Sequence, residues 1–277
     1  MLAGDFVKGH GLGNDYIVVD GARLGIRLTP ERVRLLCHRN LGLGSDGVLE
    51  LQESRGSRFA VRIWNPDGSV AERSGNGLRI AAKFLSERGY TAESTFVIET
   101  VAGPVAAEVY RRDGRVHAVR LEMGRARIDR ARRTLDVDRK RLDVTVVSVG
   151  NPHCVIFGEP LTRERLFELG PLVERHAAFP DRINVQLCAA ESRRSARALV
   201  WERGAGHTLA SGTSACAVAT ACFERGLTDG TVTVLMEGGQ LEVEVGKDLD
   251  LVMTGPVEEV FEGTLSPDLR QRLLEMQ

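Results

Sequence analysis

The sequence predicts an α+β protein of two pseudo-symmetric halves, each a mixed β-sheet or barrel wrapped round one central helix, with a site in the cleft between them. Three observations carry that expectation. Ile63 to Leu85 and Trp201 to Phe223 are near-copies: in each, a Trp precedes a Ser-Gly pair by ten positions and an Ala-rich run follows. The pairs Ser74-Gly75 and Ser211-Gly212 lie 137 positions apart, about half of the 277-residue chain. The remaining order is rich in strands but lacks the regular βαβ alternation of a doubly wound parallel sheet.

The repeated stretch has physical content. A helix start leaves backbone N–H groups without intrahelical partners and carries partial positive charge. Capping residues beside glycine let an anionic group approach that backbone. One such start per half would put a positive cradle on each wall of one cleft. Two ordinarily capped helices are the plainer explanation of either stretch alone; the internal match favours the cleft.

In chain order, Phe6 to Val19 places a glycine-rich turn, His10 to Asp15, between two strand-like runs. Thr29-Pro30-Glu31 opens a short helix reaching about Cys37, with Thr as cap and Pro in the first turn. Gly42 to Gly47 precedes the strand Val48 to Leu51. Its GxG is no dinucleotide fingerprint, because a helix precedes it and a strand follows. Phe59 to Trp64 is a strand, Asn65-Pro66-Asp67-Gly68 a turn, and the first Ser-Gly helix spans about Gly75 to Arg88. Alternation from Thr95 to Leu121, broken at Ala102-Gly103-Pro104 and Arg112-Asp113-Gly114, gives a meander or hairpins. Strands at Asp143 to Val149 and Cys154 to Phe157 flank Gly150-Asn151-Pro152-His153. A helix at Arg163 to Arg175 and a strand at Arg182 to Leu187 follow. Ala198 to Trp201 leads into the second Ser-Gly helix. Strand segments around Val232, Leu241 and Leu251 precede a final helix, Pro267 to Met276.

Composition narrows the function. Apolar residues make up 43% and charged residues 27%, enough for a substantial core. Thirty-seven basic against 38 acidic residues leave a net charge of −1, which calls for neither nucleic acid nor an anionic membrane. The basic run Arg125 to Arg141 is interleaved with acids and reads as a solvated face. No stretch approaches the roughly 20 apolar residues of a membrane span, and the first residues lack a signal peptide's apolar segment. A cytoplasmic protein is expected. Five cysteines, odd in number and without CxxC spacing, indicate free thiols rather than a zinc site or disulfides, so no metal is expected.

Taken together the motifs resemble those of the diaminopimelate epimerase family, within the fold shared with proline racemases. HGLGND at 10–15, GLGSDG at 42–47, NPDGS at 65–69 and SGNGLR at 74–79 carry the resemblance in the first half. GNPHC at 150–154, RINV at 182–185, ERGAG at 202–206 and ASGTSACA at 210–217 carry it in the second. The resemblance implies a cofactor-free epimerase converting LL- to meso-diaminopimelate, a lysine and peptidoglycan precursor, and a homodimer taking a small diamino acid. It implies halves at 1–118, joined by 263–277, and at 119–262. Family members use two thiols, one to remove the α-proton and one to deliver a proton to the other face. Those thiols map onto Ser74 and Ser211. His153 and Glu202 match the positions that assist them. Asn14, Asn65, Asn151, Asn184 and Arg203 match positions that hold the distal amino-acid group, with Glu202 beside them. Gly75-Asn76 and Gly212-Thr213 match the helix starts that hold the reacting α-carboxylate. His207 stands where many relatives carry an acid, and Gly47 where some carry a side chain reaching toward the cleft.

Serine at both thiol positions alters the chemistry. A thiol titrates near 8.5, and an aliphatic hydroxyl is weaker as an acid by roughly five units or more, so an alkoxide costs about 7 kcal/mol more. The sequence therefore admits two alternatives to efficient epimerisation. One is an isomerase or dehydratase using His153 or Glu202 as a single base. The other is a relative that binds its ligand without turnover, whether the serines are native or replaced cysteines.

Overall fold

The structure, a computed structural model, describes residues 5–55, 58–131 and 133–276. The chain divides into two compact units, Met1–Leu121 with Gly255–Gln277, and Glu122–Thr254.

The first unit contains β1 (Phe6–Gly11), β2 (Asn14–Asp20), α1 (Gly21–Leu24), α2 (Pro30–Cys37), β3 (Val48–Arg55) and β4 (Arg58–Trp64). It continues through β5 (Val70–Ala71), α3 (Gly75–Glu87), β6 (Thr95–Thr100), β7 (Gly103–Arg112) and β8 (Arg115–Arg125), whose residues from Glu122 onward belong to the second unit. The second unit holds β9 (Arg127–Asp129), β10 (Thr134–Val137), β11 (Lys140–Ser148), β12 (Pro152–Phe157), α4 (Arg163–Glu174) and β13 (Asn184–Ser192). After these come β14 (Ser195–Glu202), β15 (Gly206–Thr208), α5 (Gly212–Glu224), β16 (Thr231–Met236), β17 (Gly239–Val245) and β18 (Asp250–Pro256), whose last two residues already belong to the first unit. The chain then returns to the first unit with β19 (Glu258–Gly263) and α6 (Pro267–Glu275).

Pairing shows the internal repeat more strongly than composition does. In the first unit β1/β2 is antiparallel, β2/β3 parallel, β3/β4 and β4/β5 antiparallel, β4/β6 parallel, and β6/β7/β8 antiparallel. In the second, β11 through β18 run through the same sequence of pairings in the same order. Register agrees too: Ile17 opposes Val48 as Cys154 opposes Val185, and Val48 opposes Trp64 as Val185 opposes Trp201. Each matched residue is offset by the 137 positions that separate the two serines.

Parallel neighbours need a crossover of a dozen or more residues, usually helical. Helix α3 supplies it between β4 and β6, and α5 between β14 and β16. Every residue of α3 from Gly75 to Ser86 is buried, as are Gly212 to Cys222 of α5. Burial on every side is the signature of a helix enclosed by the sheet that its own crossover links. Helix α3 therefore also buries cations: Lys83 donates to the Val116 carbonyl at 2.7 Å and pairs with Glu87 at 2.8 Å.

The two Trp residues that mark the repeat are each tied by a carboxylate. Trp64 Nε1 donates to Glu50 at 2.9 Å, and Trp201 Nε1 to Glu174 at 2.8 Å. The other Glu174 oxygen accepts the Gly204 N–H at 3.0 Å, so the same carboxylate holds the ERGAG turn.

The glycine-rich turn read over residues 10–15 is tighter than its composition suggests. His10 pairs with Asp15 and Gly11 with Asn14, so only Leu12 and Gly13 turn, with φ of 61° and 86°. Positive φ at both central residues is the hairpin turn whose twist matches its strands. The short elements α1, β5, β9, β10 and β15 span only two to four residues and carry no usable periodicity, and β19, EEVFEG, has no alternating apolar face.

Candidate active site

Ser74 caps α3 from an extended conformation, φ −139°. Its Oγ accepts the Gly77 N–H at 3.1 Å and the Tyr16 hydroxyl at 3.2 Å. Tyr16 reaches it from β2, 58 residues away in sequence. Beneath Gly75-Asn76 runs a chain of donors: Arg79 gives to Asn76 Oδ1 at 2.8 Å, Asn76 to Asn14 Oδ1 at 3.2 Å, and Asn14 to Asp46 at 3.1 Å. Arg39 closes it from beyond, 2.7 Å from Asp46 and 3.2 Å from Asp15. Burial, with Asp15 beside it, raises the Asp46 carboxyl above the usual range. Burial opposes ionisation of Asp15 as well, but Lys8 at 2.7 Å and its other partners outweigh it and hold that carboxyl low.

Ser211 caps α5 from the same extended region, φ −145°, yet makes no side-chain cap bond. Its Oγ instead donates to Glu202 Oε2 at 3.3 Å. The first-turn N–H groups of α5 therefore face no hydroxyl from their own cap. Thr213, buried beside them, accepts from Asn151 at 3.4 Å. Asn184 bridges two backbones: its amide donates to the Pro152 carbonyl and its oxygen accepts the Arg203 N–H, both at 2.9 Å. Arg203 itself is exposed and donates to the Asp181 carbonyl at 3.2 Å. In the first unit Asn65 is committed locally, donating to Ser69 Oγ at 2.9 Å across its own turn.

His153 is fully buried between two amides, with Asn151 Oδ1 2.9 Å from Nε2 and Gln186 Nε2 3.1 Å from Nδ1. Gln186 also donates to Ser214 Oγ at 3.0 Å. Burial first, and then the charge of Arg203, push the imidazole from its usual 6.5 down to about 3. The folded protein thus keeps this ring neutral where the unfolded chain protonates it. Below pH 6.5 that difference removes up to about 1.4 kcal/mol of stability per pH unit, continuing toward pH 3. Denaturant unfolding between pH 7 and 4 should show this slope in the parent and lose it in His153→Gln. NMR should find no His153 titration above pH 5.

His207 brings its own acid. Its Nε2 lies 2.5 Å from Glu237, which Arg163 meets at 2.5 Å on the other oxygen. Burial opposes ionisation of Glu237, but His207 and Arg163 outweigh it and hold the carboxyl low. Gly47 leaves no room for a side chain: a Cβ there would fall 2.4 Å from the Trp64 carbonyl and 2.6 Å from the Tyr16 ring.

The sequence motifs give Tyr16, Asp46, Arg79, Gln186 and Ser214 no individual role. The internal offset could have found the first. Shifting by 137 positions pairs Tyr16 with His153, Asn14 with Asn151, Gly47 with Asn184 and Asn65 with Glu202. Each polar member of one unit thereby marks a position to inspect in the other. Among the described residues no cluster of His, Cys, Asp and Glu could hold a metal ion.

Comparison with known proteins gives a consistent picture. A model of the family described as diaminopimelate epimerase matches residues 6–128 and 145–260. A diaminopimelate epimerase of Desulforudis audaxviator is 41% identical over 273 residues, covering 94% of this chain and 98% of its own. One from Desulfitobacterium hafniense is 38% identical over 279 residues, covering 95% and 99%. Among solved structures, a hydroxyproline epimerase from Agrobacterium vitis, with bound trans-4-hydroxy-L-proline, superposes with a TM-score of 0.72 at 18% identity, covering 92% of this chain and 90% of its own. That last likeness concerns the fold alone.

Proposed function

The chain belongs to the diaminopimelate epimerase family, and on that premise we propose that it inverts the α-carbon of a diaminopimelate-type diamino diacid without a cofactor, using Ser74 and Ser211 where its relatives use thiols. The observation that supports this most directly is the Ser211 hydroxyl on the Glu202 carboxylate, 3.3 Å apart. A hydroxyl alone is a poor base, but one whose proton passes to a neighbouring carboxylate becomes a usable acceptor. In the proposed step the α-proton goes to Ser211 Oγ as the Ser211 proton goes to Glu202, and Ser74 supplies the proton that reaches the opposite face of the carbon. The α-carboxylate rests on the N–H groups at Gly75-Asn76 and Gly212-Thr213. Asn14, Asn65, Asn151, Asn184 and Arg203 hold the distal group. His153, with both nitrogens engaged, fixes Asn151 in this scheme and serves as a support for the base.

The family resemblance also supports a cytoplasmic homodimer without a nucleic-acid partner, an assembly that sedimentation would measure. Among the described residues no helix is long and apolar enough to cross a membrane.

Incubation with meso-diaminopimelate in deuterated water tests the reading. Deuterium should enter at the α-carbon, and Glu202→Gln should slow entry by about 100-fold or more, the usual contribution of a general base. Exchange indifferent to that substitution removes Glu202 from the role. Tight calorimetric binding with no exchange identifies a binding protein instead.

A further inference from the structure

We propose that Tyr16 is a positioning residue for Ser74, and that the two serines are wired with opposite polarity: Ser74 held as proton donor, Ser211 as proton acceptor. The inference deepens the proposed function and rests on that reading for its catalytic meaning, but its geometric content stands on hydrogen bonds alone.

A serine hydroxyl has one proton to give and two lone-pair directions to receive. At Ser74 both receiving directions are occupied, by the Gly77 N–H at 3.1 Å and the Tyr16 O–H at 3.2 Å. What remains is its own proton. At Ser211 the proton is given to Glu202, and no cap bond reaches the oxygen. What remains there is the lone pairs. The asymmetry follows from substitutions between the matched positions of the repeat. Asn65 stands where the second unit has Glu202, so no carboxylate arrives at Ser74 from the matching place. Tyr16 stands where the second unit has His153, and the two groups behave differently: the phenol reaches the serine, whereas the imidazole is spent on Asn151 and Gln186. Tyr16 is itself held in place, 6% exposed and with Gly47 against its ring. A donor fixed at Ser74 Oγ also stabilises that oxygen as it loses its proton to carbon.

A thiol reporter reads this wiring without requiring turnover. All five native cysteines are buried, so iodoacetamide alkylation of Ser74→Cys or Ser211→Cys follows the introduced thiol. In Ser74→Cys the two donors should lower the thiol pKa below about 8.5. Adding Tyr16→Phe, which keeps the ring and deletes the donor, should raise it and cut the alkylation rate at pH 7 by roughly tenfold. In Ser211→Cys the neighbouring carboxylate should raise the pKa. There Glu202→Gln should lower it, and Tyr16→Phe should leave it unchanged. An unchanged or lowered pKa on adding Tyr16→Phe to Ser74→Cys overturns the proposal, since it would mean that Tyr16 accepts from position 74 or does not bond to it. A failure of deuterium exchange with these titrations as expected would instead reject the epimerase reading and leave the wiring intact.

Discussion

Replacing Ser74 and Ser211 together by Cys should raise α-proton exchange from diaminopimelate by up to about five orders of magnitude. The size follows from acidity. The hydroxyl lies roughly five units above the thiol, about 7 kcal/mol at 1.36 kcal/mol per unit, or about 10⁵ in rate if the whole difference reaches the barrier. Glu202 lies 3.3 Å from the Ser211 hydroxyl and reduces the deficit on that side, so a gain of about 10³ to 10⁵ is the expected range. Single replacements should recover much less, because inversion is only as fast as its slower proton transfer. Deuterium incorporation followed by NMR, together with the appearance of the opposite configuration, measures both quantities. An unchanged rate in a folded double variant would mean that positions 74 and 211 do not carry the reacting groups.

Arg79→Met should destabilise the protein by about 3–5 kcal/mol, a large share of the 5–15 kcal/mol typical of a folded domain. Arg79 has no exposed surface. Its guanidinium donates to the Pro256 carbonyl at 3.1 Å, the Gly75 carbonyl at 3.3 Å and Asn76 Oδ1 at 2.8 Å. It thereby ties α3 to Pro256 within the first unit, and orients the run of side chains through Asn76 and Asn14 to Asp46. Methionine fills much of the volume but leaves three acceptors without this donor, each costing about 1–3 kcal/mol and not strictly additive. Lysine should rescue little, since a single ammonium cannot present a planar fork. Gly11 shows how closely the guanidinium is fitted: a Cβ there would lie 2.6 Å from Nη2. Urea unfolding of the parent, Arg79→Met and Arg79→Lys checks the order. A loss below about 1 kcal/mol for Met would mean that the acceptors find other partners.

Much of the fold was legible because its signals are local. Thr29-Pro30, Ser74-Gly75 and Ser211-Gly212 announce helix starts within three residues of chain, and α2, α3 and α5 begin there. The meander of β6 to β8 follows from alternation and two turns. The parallel pairs β2/β3 and β12/β13 were not legible, since nothing in a strand's own residues names a neighbour reached through a crossover. At the candidate site, contiguous motifs supplied the names of the residues, but not the state of any of them.

What the chain's sequence determines by itself is therefore its family, the two helix starts and the repeat that relates them, all written in short contiguous stretches. Only the folded structure decides what each side chain has left to offer. Ser74 receives from Tyr16 and Ser211 gives to Glu202; His153 is kept neutral by burial; Asn184 is spent on two backbones. Those outcomes depend on donors and acceptors brought together from separate strands, and on water excluded by the whole unit. Neither is a property of any local stretch of residues.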